Sequence, residues 1–269
     1  MFSIDLECPQ ADKEFTIADL WETGSTGIIE VEDREDIALL RAFFDDDARQ
    51  PELLARFGGA ALPADTRDWV AFAREHLKPM QIGQRIFVIP EWHDEPTPPG
   101  RIRITINAGL AFGTGAHETT RLCLESIERH VKRGATVVDI GTGSGILSEA
   151  ALKLGAAHAY AGDTDPSAVA VARENFERAG VVVPVFTGSA DTVGGAVADI
   201  VVANISPAWI AELAPEWIRI LKPGGIGILS GFEAADVAGL TAAIEQAGGR
   251  VTGEFGEKDW RMLEIAAAY

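Results

Sequence analysis

The chain has 269 residues, of which 47% are hydrophobic and 24% charged, and its formal net charge at pH 7 is −18. This composition is typical of a globular protein with one large domain and a smaller one. The negative charge argues against nucleic acid as the main partner, because neutralising phosphates requires clustered lysine and arginine. Electrostatic steering favours a basic protein or a cationic substrate, and acidity that serves only solubility is the alternative.

The cysteines and the apolar runs indicate where the protein works. Cys8 and Cys123 have no metal-ligand spacing between them, and we expect no metal site. The first residues lack the basic and apolar regions of a secretory leader. No apolar run approaches the ~20 residues that a membrane helix requires. These features predict a cytoplasmic protein that does not insert into a membrane.

The N-terminal part of the chain predicts a small α+β domain over residues 1–60. Strands are expected at residues 2–6 and 27–31, and helices at residues 16–22 and near 36–44. Glycine and proline breakers follow, and five prolines lie between residues 79 and 99. We therefore predict a linker over residues 61–100 and a second domain over residues 101–269.

The most informative segment of the second domain is a glycine-rich turn between a strand and a helix. An apolar strand is expected at residues 136–140, followed by Gly141, Gly143 and Gly145 and a helix at residues 146–154. Glycines allow tight turns and let a ligand approach the main chain. Asp163 follows the next apolar run, where its carboxylate would accept both hydroxyls of a ribose. The segment therefore predicts a site for a nucleoside cofactor.

The spacing of the glycines selects the cofactor. A dinucleotide fingerprint needs a glycine where this chain has Ile146, and a phosphate loop needs a Gly-Lys-Ser/Thr sequence that is missing. No basic residue lies between residues 137 and 152 to meet phosphate charge. S-adenosylmethionine has no phosphate and carries a sulfonium cation, and it fits better. A nicotinamide oxidoreductase, or a glycine turn without a ligand, is the competing interpretation.

The rest of the chain alternates strands with helices. Helices are expected at residues 167–179, 208–220 and 235–247, and strands at 181–186, 200–203, 226–230, 250–255 and 262–266. Such alternation predicts an α/β fold with a doubly wound, mostly parallel seven-stranded Rossmann-like sheet. Together with the predicted S-adenosylmethionine site, it indicates a methyltransferase sheet. Ligands of such sheets bind outside the carboxyl ends of the strands, which selects the loops at residues 141–145, 163–166 and 204–207.

Two further segments carry polar groups towards this edge. Asn204 ends an apolar strand, and its side-chain carbonyl can accept a hydrogen bond from an incoming amine; the alternative is an N-cap for the helix near Pro207. Residues 109–120 form a second glycine-rich segment, expected to close over the site as a loop. The hydroxyls of Thr114, Thr119 and Thr120 would hold the methionine carboxylate of the cofactor near a helix start. His117 is expected to bind the cofactor or to cap that helix.

Three motifs together resemble the PrmA family, the methyltransferases of the eleventh protein of the large ribosomal subunit. They are Ala-Phe-Gly-Thr-Gly-x-His at 111–117, Gly-x-Gly-Ser-Gly-Ile-Leu at 141–147 and Val-Ala-Asn-Ile at 202–205. The resemblance implies a small N-terminal domain that presents a basic ribosomal protein substrate. It also implies that an acidic residue often contacts adenine where this chain has Ser189. The cofactor positions that it implies are Thr120, Gly141, Asp163 and Asn204, with Phe112, His117 and Gly143 as neighbours.

The resulting hypothesis is in-line transfer of the sulfonium methyl group to a neutral protein amine, either a lysine ε-amine or an α-amine. Asn204 and the backbone carbonyl of Ile205 would orient the amine, and no dedicated base is required. Three alternatives stay open: a lysine methyltransferase of another protein, a small-molecule methyltransferase, and a cofactor-binding module without turnover.

Overall fold

The computed structural model describes residues 2–33, 37–63, 77–107 and 117–268. The chain divides into two compact units, Met1–Ala71 and Phe72–Tyr269. The domain roles and boundaries expected from the sequence stay predictions. None of the helices in the described ranges is both long and apolar enough to cross a bilayer.

The first unit is a four-stranded antiparallel sheet with helices. Its strands follow the order β2-β3-β1-β4. The core combines buried alternate residues of the two central strands with Leu20 and Leu53 from the helices. The elements are β1 (Phe2–Pro9), α1 (Lys13–Glu22), β2 (Gly27–Asp33), β3 (Ile37–Phe44), α2 (Gln50–Phe57) and β4 (Ala60–Pro63).

The helix predicted near residues 36–44 is wrong, because this segment is strand β3. Ala38, Leu40, Ala42 and Phe44 are buried and face the core, whereas the residues between them are more exposed. This alternation has the period of a strand. β3 pairs with β1 on one side and β2 on the other, and this pairing outweighs the helix-favouring composition of the segment.

The second unit begins with a three-stranded sheet of β5 (Met80–Ile82), β6 (Ile86–Pro90) and β7 (Ile102–Ile106). The β5–β6 pair is antiparallel and the β6–β7 pair is parallel. Ile82, Ile86 and Ile104 are buried in one cluster with residues of two later helices, at 118–130 and 146–154. The segment predicted as a linker thus contains two strands that belong to the core of this unit.

A seven-stranded sheet forms the centre of the second unit, and it confirms the predicted fold class. Its order is β10-β9-β8-β11-β12-β14-β13, in which β14 is antiparallel to both neighbours and the other pairs are parallel. The strands are β8 (Thr136–Ile140), β9 (His158–Asp163), β10 (Val185–Thr187), β11 (Ala198–Asn204), β12 (Leu221–Glu233), β13 (Gly249–Glu257) and β14 (Trp260–Ala267).

Helices cover both faces of this sheet, because successive residues of its parallel strands point to opposite sides. Val137 belongs to one buried cluster with the helices at residues 118–130 and 146–154. Val138 belongs to another with the helices at residues 207–212, 214–220 and 237–246. The helices are α3 (Glu118–His130), α4 (Ile146–Leu154), α5 (Pro166–Ala179), α6 (Pro207–Glu212), α7 (Ala214–Ile220) and α8 (Val237–Gln246).

Two predicted elements differ from the structure. The single helix expected at residues 208–220 is two helices that meet at Leu213, just before Pro215. Proline has no amide hydrogen to donate within a continuous helix, which accounts for the break. The strand expected at residues 181–186 is limited to β10, since residues 181–184 lie outside any strand.

Candidate active site

The glycine loop between β8 and α4 lies at the switch point of the sheet, because β8 has β9 as its neighbour on one side and β11 on the other. Gly141 and Thr142 both donate backbone hydrogen bonds to the carbonyl of Gly162, at 2.8 and 3.1 Å. Gly141 has a φ of +72°, and a Cβ there would collide with the side chain of Ile205. Glycine therefore allows the loop to pass directly beside the end of β11.

Asp163 connects this loop to the end of β9. Its Oδ2 accepts a hydrogen bond from the amide of Gly143 at 3.0 Å, and its Oδ1 accepts one from the amide of Asp165 at 3.0 Å. An ionised carboxylate has about four acceptor positions, so both oxygens keep capacity for a ligand hydroxyl. The carboxylate thus orders the glycine loop while it faces the position expected for a ribose.

A cavity of about 550 Å³ opens between the loops that follow β8, β9 and β11. Its size is in the range of small-molecule sites, ~300–1,000 Å³. Its lining within the described part of the chain includes the acids Asp163 and Asp165 and no lysine or arginine. Among the predicted site residues, the cavity is lined by Thr120, Gly141, Gly143, Asp163, Asn204 and Ile205. Phe112 and Thr114 lie outside the described residues.

Asn204 is the most unusual polar group at this cavity. Its Nδ2 donates to Thr120 Oγ1 at 3.4 Å, whereas its Oδ1 is buried and has no hydrogen-bond partner among the described residues. The N-cap of α6 is Ser206, so Asn204 does not cap that helix. A buried acceptor without a partner costs about 1–3 kcal/mol, which a bound donor would recover.

His117 lies at the N-cap of α3. Its Nδ1 accepts a hydrogen bond from the amide of Thr119 at 3.3 Å and lies 2.8 Å from the Thr119 hydroxyl. The imidazole contacts the ring of Trp260 edge to face, with centroids 4.7 Å apart. Of the two roles expected from the sequence, these contacts correspond to helix capping.

Helix α5 holds the glycine loop through two residues that the sequence analysis missed. Asn175 Nδ2 donates to the carbonyl of Ser144 at 2.8 Å. A Cβ at Gly145 would lie 2.5 Å from the ring of Phe176, so this ring packs against the bare α-carbon. In the sequence, the third glycine, Gly145, was the only sign that another group packs closely against this loop. Nothing in the helical pattern marks Asn175.

Gly231 is a third missed residue, and it lies against the carbonyl of Ile205. Its φ is +106°, and a Cβ there would collide with the Ile205 carbonyl oxygen. The adjacent residue of β12 also holds Ile205, whose amide donates a hydrogen bond to the Ser230 carbonyl at 3.0 Å. The position of the Ile205 carbonyl therefore depends on glycine at position 231.

For the reaction hypothesised from the sequence, we expect Gly231→Ala to lower kcat by about tenfold to a hundredfold, because the added carbon must displace the Ile205 carbonyl, to which that hypothesis assigns the orientation of the amine. Gly239→Ala is the matched control, since a Cβ at Gly239 meets nothing within 4 Å. Steady-state kinetics of both variants test this. An unchanged kcat in Gly231→Ala would mean that the Ile205 carbonyl has no part in the reaction.

Asp139, at the buried end of β8, is fully shielded from solvent. Burial raises its pKa to about 6 from the ordinary 3.8, and hydrogen bonds from Thr142 and Ser148 partly oppose the shift. Both hydroxyls reach Oδ2, at 2.8 and 2.9 Å, while Oδ1 has no partner among the described residues. The carboxylate thus links the glycine loop to α4 at an electrostatic cost.

Because burial raises the pKa of Asp139, the free energy of unfolding depends on pH. The folded pKa of Asp139 lies above that of the unfolded chain, so the folded state binds the proton more tightly. The resulting stabilisation is present below pH ~4 and is lost as the pH rises to ~6, by an amount on the order of 3 kcal/mol. We expect Asp139→Asn to remove this component. Denaturant unfolding at pH 4.5 and 7.5 would measure how much free energy of unfolding the wild type and Asp139→Asn each lose between the two pH values. An equal loss in both proteins would contradict the assignment.

The sheet order, the antiparallel β14 and the cavity at the carboxyl ends of β8, β9 and β11 define the class of Rossmann-like methyltransferase domains. Residues 61–267 match the model of the ribosomal protein L11 methyltransferase (PrmA) family. The chain belongs to this family, which confirms the resemblance seen in the motifs.

Individual relatives agree with this assignment. The chain is 39% identical to a ribosomal protein L11 methyltransferase of Synechococcus sp. (strain RCC307), over 78% of this chain and 74% of that protein. It is 42% identical to one of Dechloromonas aromatica (strain RCB), over 63% of this chain and 58% of that protein. The crystal structure of a ribosomal protein L11 methylase from Lactobacillus delbrueckii subsp. bulgaricus superposes with a TM-score of 0.66, at 29% identity over 72% of this chain and 99% of that one. Several other relatives are matched over only about half of their length.

Proposed function

We propose that the protein is an S-adenosylmethionine-dependent N-methyltransferase that acts on amines of ribosomal protein L11. The carrying observation is the buried Asn204 Oδ1, which lies at the cavity wall without a hydrogen-bond partner among the described residues. An amine placed beside it would supply the missing donor. Membership of the L11 methyltransferase family supports the same reaction.

The residues of the cavity fit this cofactor. Among the residues that the structure describes, the lining contains carboxylates but no lysine or arginine, which suits a sulfonium and an ammonium group and disfavours a pyrophosphate. Asp163 supports this cofactor, since its carboxylate oxygens keep acceptor capacity for the ribose hydroxyls. A second cavity, of about 410 Å³, shares Gly141, Thr164 and Ile205 with the first, and it includes Ser189 at the position where the family often has an acid. We place adenine at the shared end of this second cavity.

In this mechanism S-adenosylmethionine supplies the electrophilic methyl group, and the protein orients the amine. A lysine has an ordinary pKa near ~10.4 and must lose its proton before it attacks. The apolar side chains of Ile146, Leu147 and Ile205 at the cavity favour the neutral amine, as does a neighbouring cation. Asn204 Oδ1 and the Ile205 carbonyl would then accept the two amine hydrogens. Alignment of this kind can supply several kcal/mol of barrier reduction.

The proposal includes the partner and the compartment. A net charge of −18 supports attraction of a basic ribosomal protein, and we assign recognition of that protein to the N-terminal unit. Both cysteines are buried and unpaired, which is compatible with the reducing cytoplasm. We propose no direct contact with nucleic acid and no membrane association.

Methyl-labelled S-adenosylmethionine tests the reaction. Incubation with recombinant ribosomal protein L11 is expected to label that protein on amines. Label in another protein of a cell extract would favour a different lysine substrate, and label only in the small-molecule fraction would favour a metabolite. Binding of S-adenosylhomocysteine without any turnover would identify a non-catalytic module, and binding of nicotinamide cofactors alone would overturn the proposal.

A further inference from the structure

The second cavity has an outer part that the cofactor does not explain. One end shares Gly141, Thr164 and Ile205 with the first cavity, whereas the wall formed by α6 and α7 carries Trp209. The indole of Trp209 is 55% exposed, which is unusual for so large an apolar side chain. Trp209 lies four residues after Ile205, so an exposed aromatic ring stands close to the expected position of methyl transfer.

Trp209 is not needed for the core at this position. Its neighbour Ile210 is fully buried, and Trp217 is fully buried on α7 with its Nε1 donating to the Ile210 carbonyl at 3.0 Å. These two residues anchor α6 to the sheet and to α7. The exposed face of the Trp209 ring is therefore available to a ligand, and the faces of indole rings attract cations.

Three carboxylates line the same cavity as this ring. Glu212 is three residues after Trp209 and so lies on the same side of α6, and Asp191 lies on the opposite wall in the turn Ala190–Thr192. Neither has an ion-pair partner among the described residues. Glu216, the third carboxylate of the cavity, is already paired with Arg219 at 2.5 Å.

The two walls are held at a fixed separation. Arg219 pairs with Glu216 on α7 and donates a second hydrogen bond, of 3.0 Å, to the carbonyl of Ala190 beside Asp191. The rim that bears Trp209, Glu212 and Asp191 is thus preorganised, which lowers the entropic cost of binding.

We propose that Trp209, Glu212 and Asp191 form a binding site for a second cationic side chain, lysine or arginine, of the protein substrate. The inference rests on the proposed function, since it places this side chain next to the amine that is methylated. Aromatic stacking and two unpaired carboxylates suit a cation, and the charge of the whole chain has the matching sign. The site would select basic sequences around the methylated residue.

A binding experiment tests the site without methylation. Fluorescein-labelled octalysine is titrated against the full chain with saturating S-adenosylhomocysteine, which occupies the cofactor site and leaves the outer part of the second cavity open. Trp209→Ala and Glu212→Gln are each expected to raise the Kd about threefold to tenfold. Trp209→Phe, which keeps an aromatic ring, should recover most of the affinity.

Glu245→Gln is the matched control, because it removes one exposed carboxylate from α8, outside the cavity. Its Kd for octalysine should equal that of the wild type. An equal weakening in Glu245→Gln and Glu212→Gln would mean that octalysine senses only the overall charge, and the proposed site would be wrong.

Kinetics with recombinant ribosomal protein L11 separate this inference from the proposed function. Trp209→Ala is expected to act on KM for L11 rather than on kcat or on the Kd for S-adenosylhomocysteine. Weaker S-adenosylhomocysteine binding with unchanged octalysine binding would assign Trp209 to adenine and overturn the inference. Selective octalysine binding by a wild-type protein that fails to methylate L11 would instead overturn the proposed function and leave the cation site standing.

Discussion

Replacing Asn204 by alanine is expected to lower kcat by about a hundredfold to a thousandfold, with less than about a threefold change in the Kd for S-adenosylhomocysteine. The Oδ1 of Asn204 is a buried acceptor at the cavity that has no partner among the described residues, and alanine removes it. The loss should fall on kcat because, in the proposed mechanism, that oxygen orients the amine during transfer, whereas the proposed ribose and adenine contacts of the cofactor come from other residues. Steady-state methylation of L11 and calorimetry with S-adenosylhomocysteine would measure both quantities.

Ser206→Ala is the matched control for this variant. Ser206 is exposed, lies two residues further along the same loop, and makes no side-chain capping bond to α6. Its kcat should remain within about twofold of the wild type, since it removes no group that a substrate would contact. Equal losses of turnover and cofactor affinity in Asn204→Ala would contradict the orienting role and assign Asn204 to cofactor binding.

Replacing Asp163 by alanine is expected to weaken cofactor binding by about a hundredfold, the largest effect on affinity that we predict. Two losses combine: the proposed acceptors for the ribose hydroxyls, and the hydrogen bond of 3.0 Å that holds the Gly143 amide. Hydrogen bonds to charged groups contribute about 1.5–3 kcal/mol each, and a hundredfold loss corresponds to about 2.7 kcal/mol. Calorimetry with S-adenosylhomocysteine gives the Kd directly.

Two further variants serve as comparisons for Asp163→Ala in this experiment. Asp163→Asn keeps one acceptor oxygen, so its Kd should lie between those of the wild type and Asp163→Ala. Asp259→Ala removes an exposed carboxylate from the turn between β13 and β14 and should leave the Kd unchanged. A Kd within threefold of the wild type in Asp163→Ala would remove Asp163 from the binding site.

The two variants should also separate binding from chemistry. At saturating cofactor, Asp163→Ala is expected to recover much of its rate, whereas Asn204→Ala is not, because no concentration of ligand restores a missing orienting group. The cavity would then have one side that binds the cofactor and another that aligns the amine.

Periodicity read from the sequence predicted the second unit well where an element is long or bounded by strong breakers. Strand β8 and helix α4 have the bounds predicted for them, since glycines separate an apolar run from an amphipathic helix. Segment 37–44 was mispredicted as a helix, because its alanines and leucines favour a helix locally while pairing with β1 and β2 makes it a strand.

The sequence by itself determined the class of fold and the loops that surround the cavity, and it predicted the kind of cofactor, because strand period, glycine spacing and the absence of basic residues from segment 137–152 are local properties of the chain. Only the tertiary structure decided which distant groups meet. Thr120 and Asn204 are 84 positions apart and share a hydrogen bond. Glycine at position 231 leaves room for the Ile205 carbonyl. Trp209 is left exposed because Ile210 and Trp217 already fill the core. Such contacts depend on how closely the packed helices and strands approach one another. The spacing of residues within a short segment of the sequence does not encode that approach.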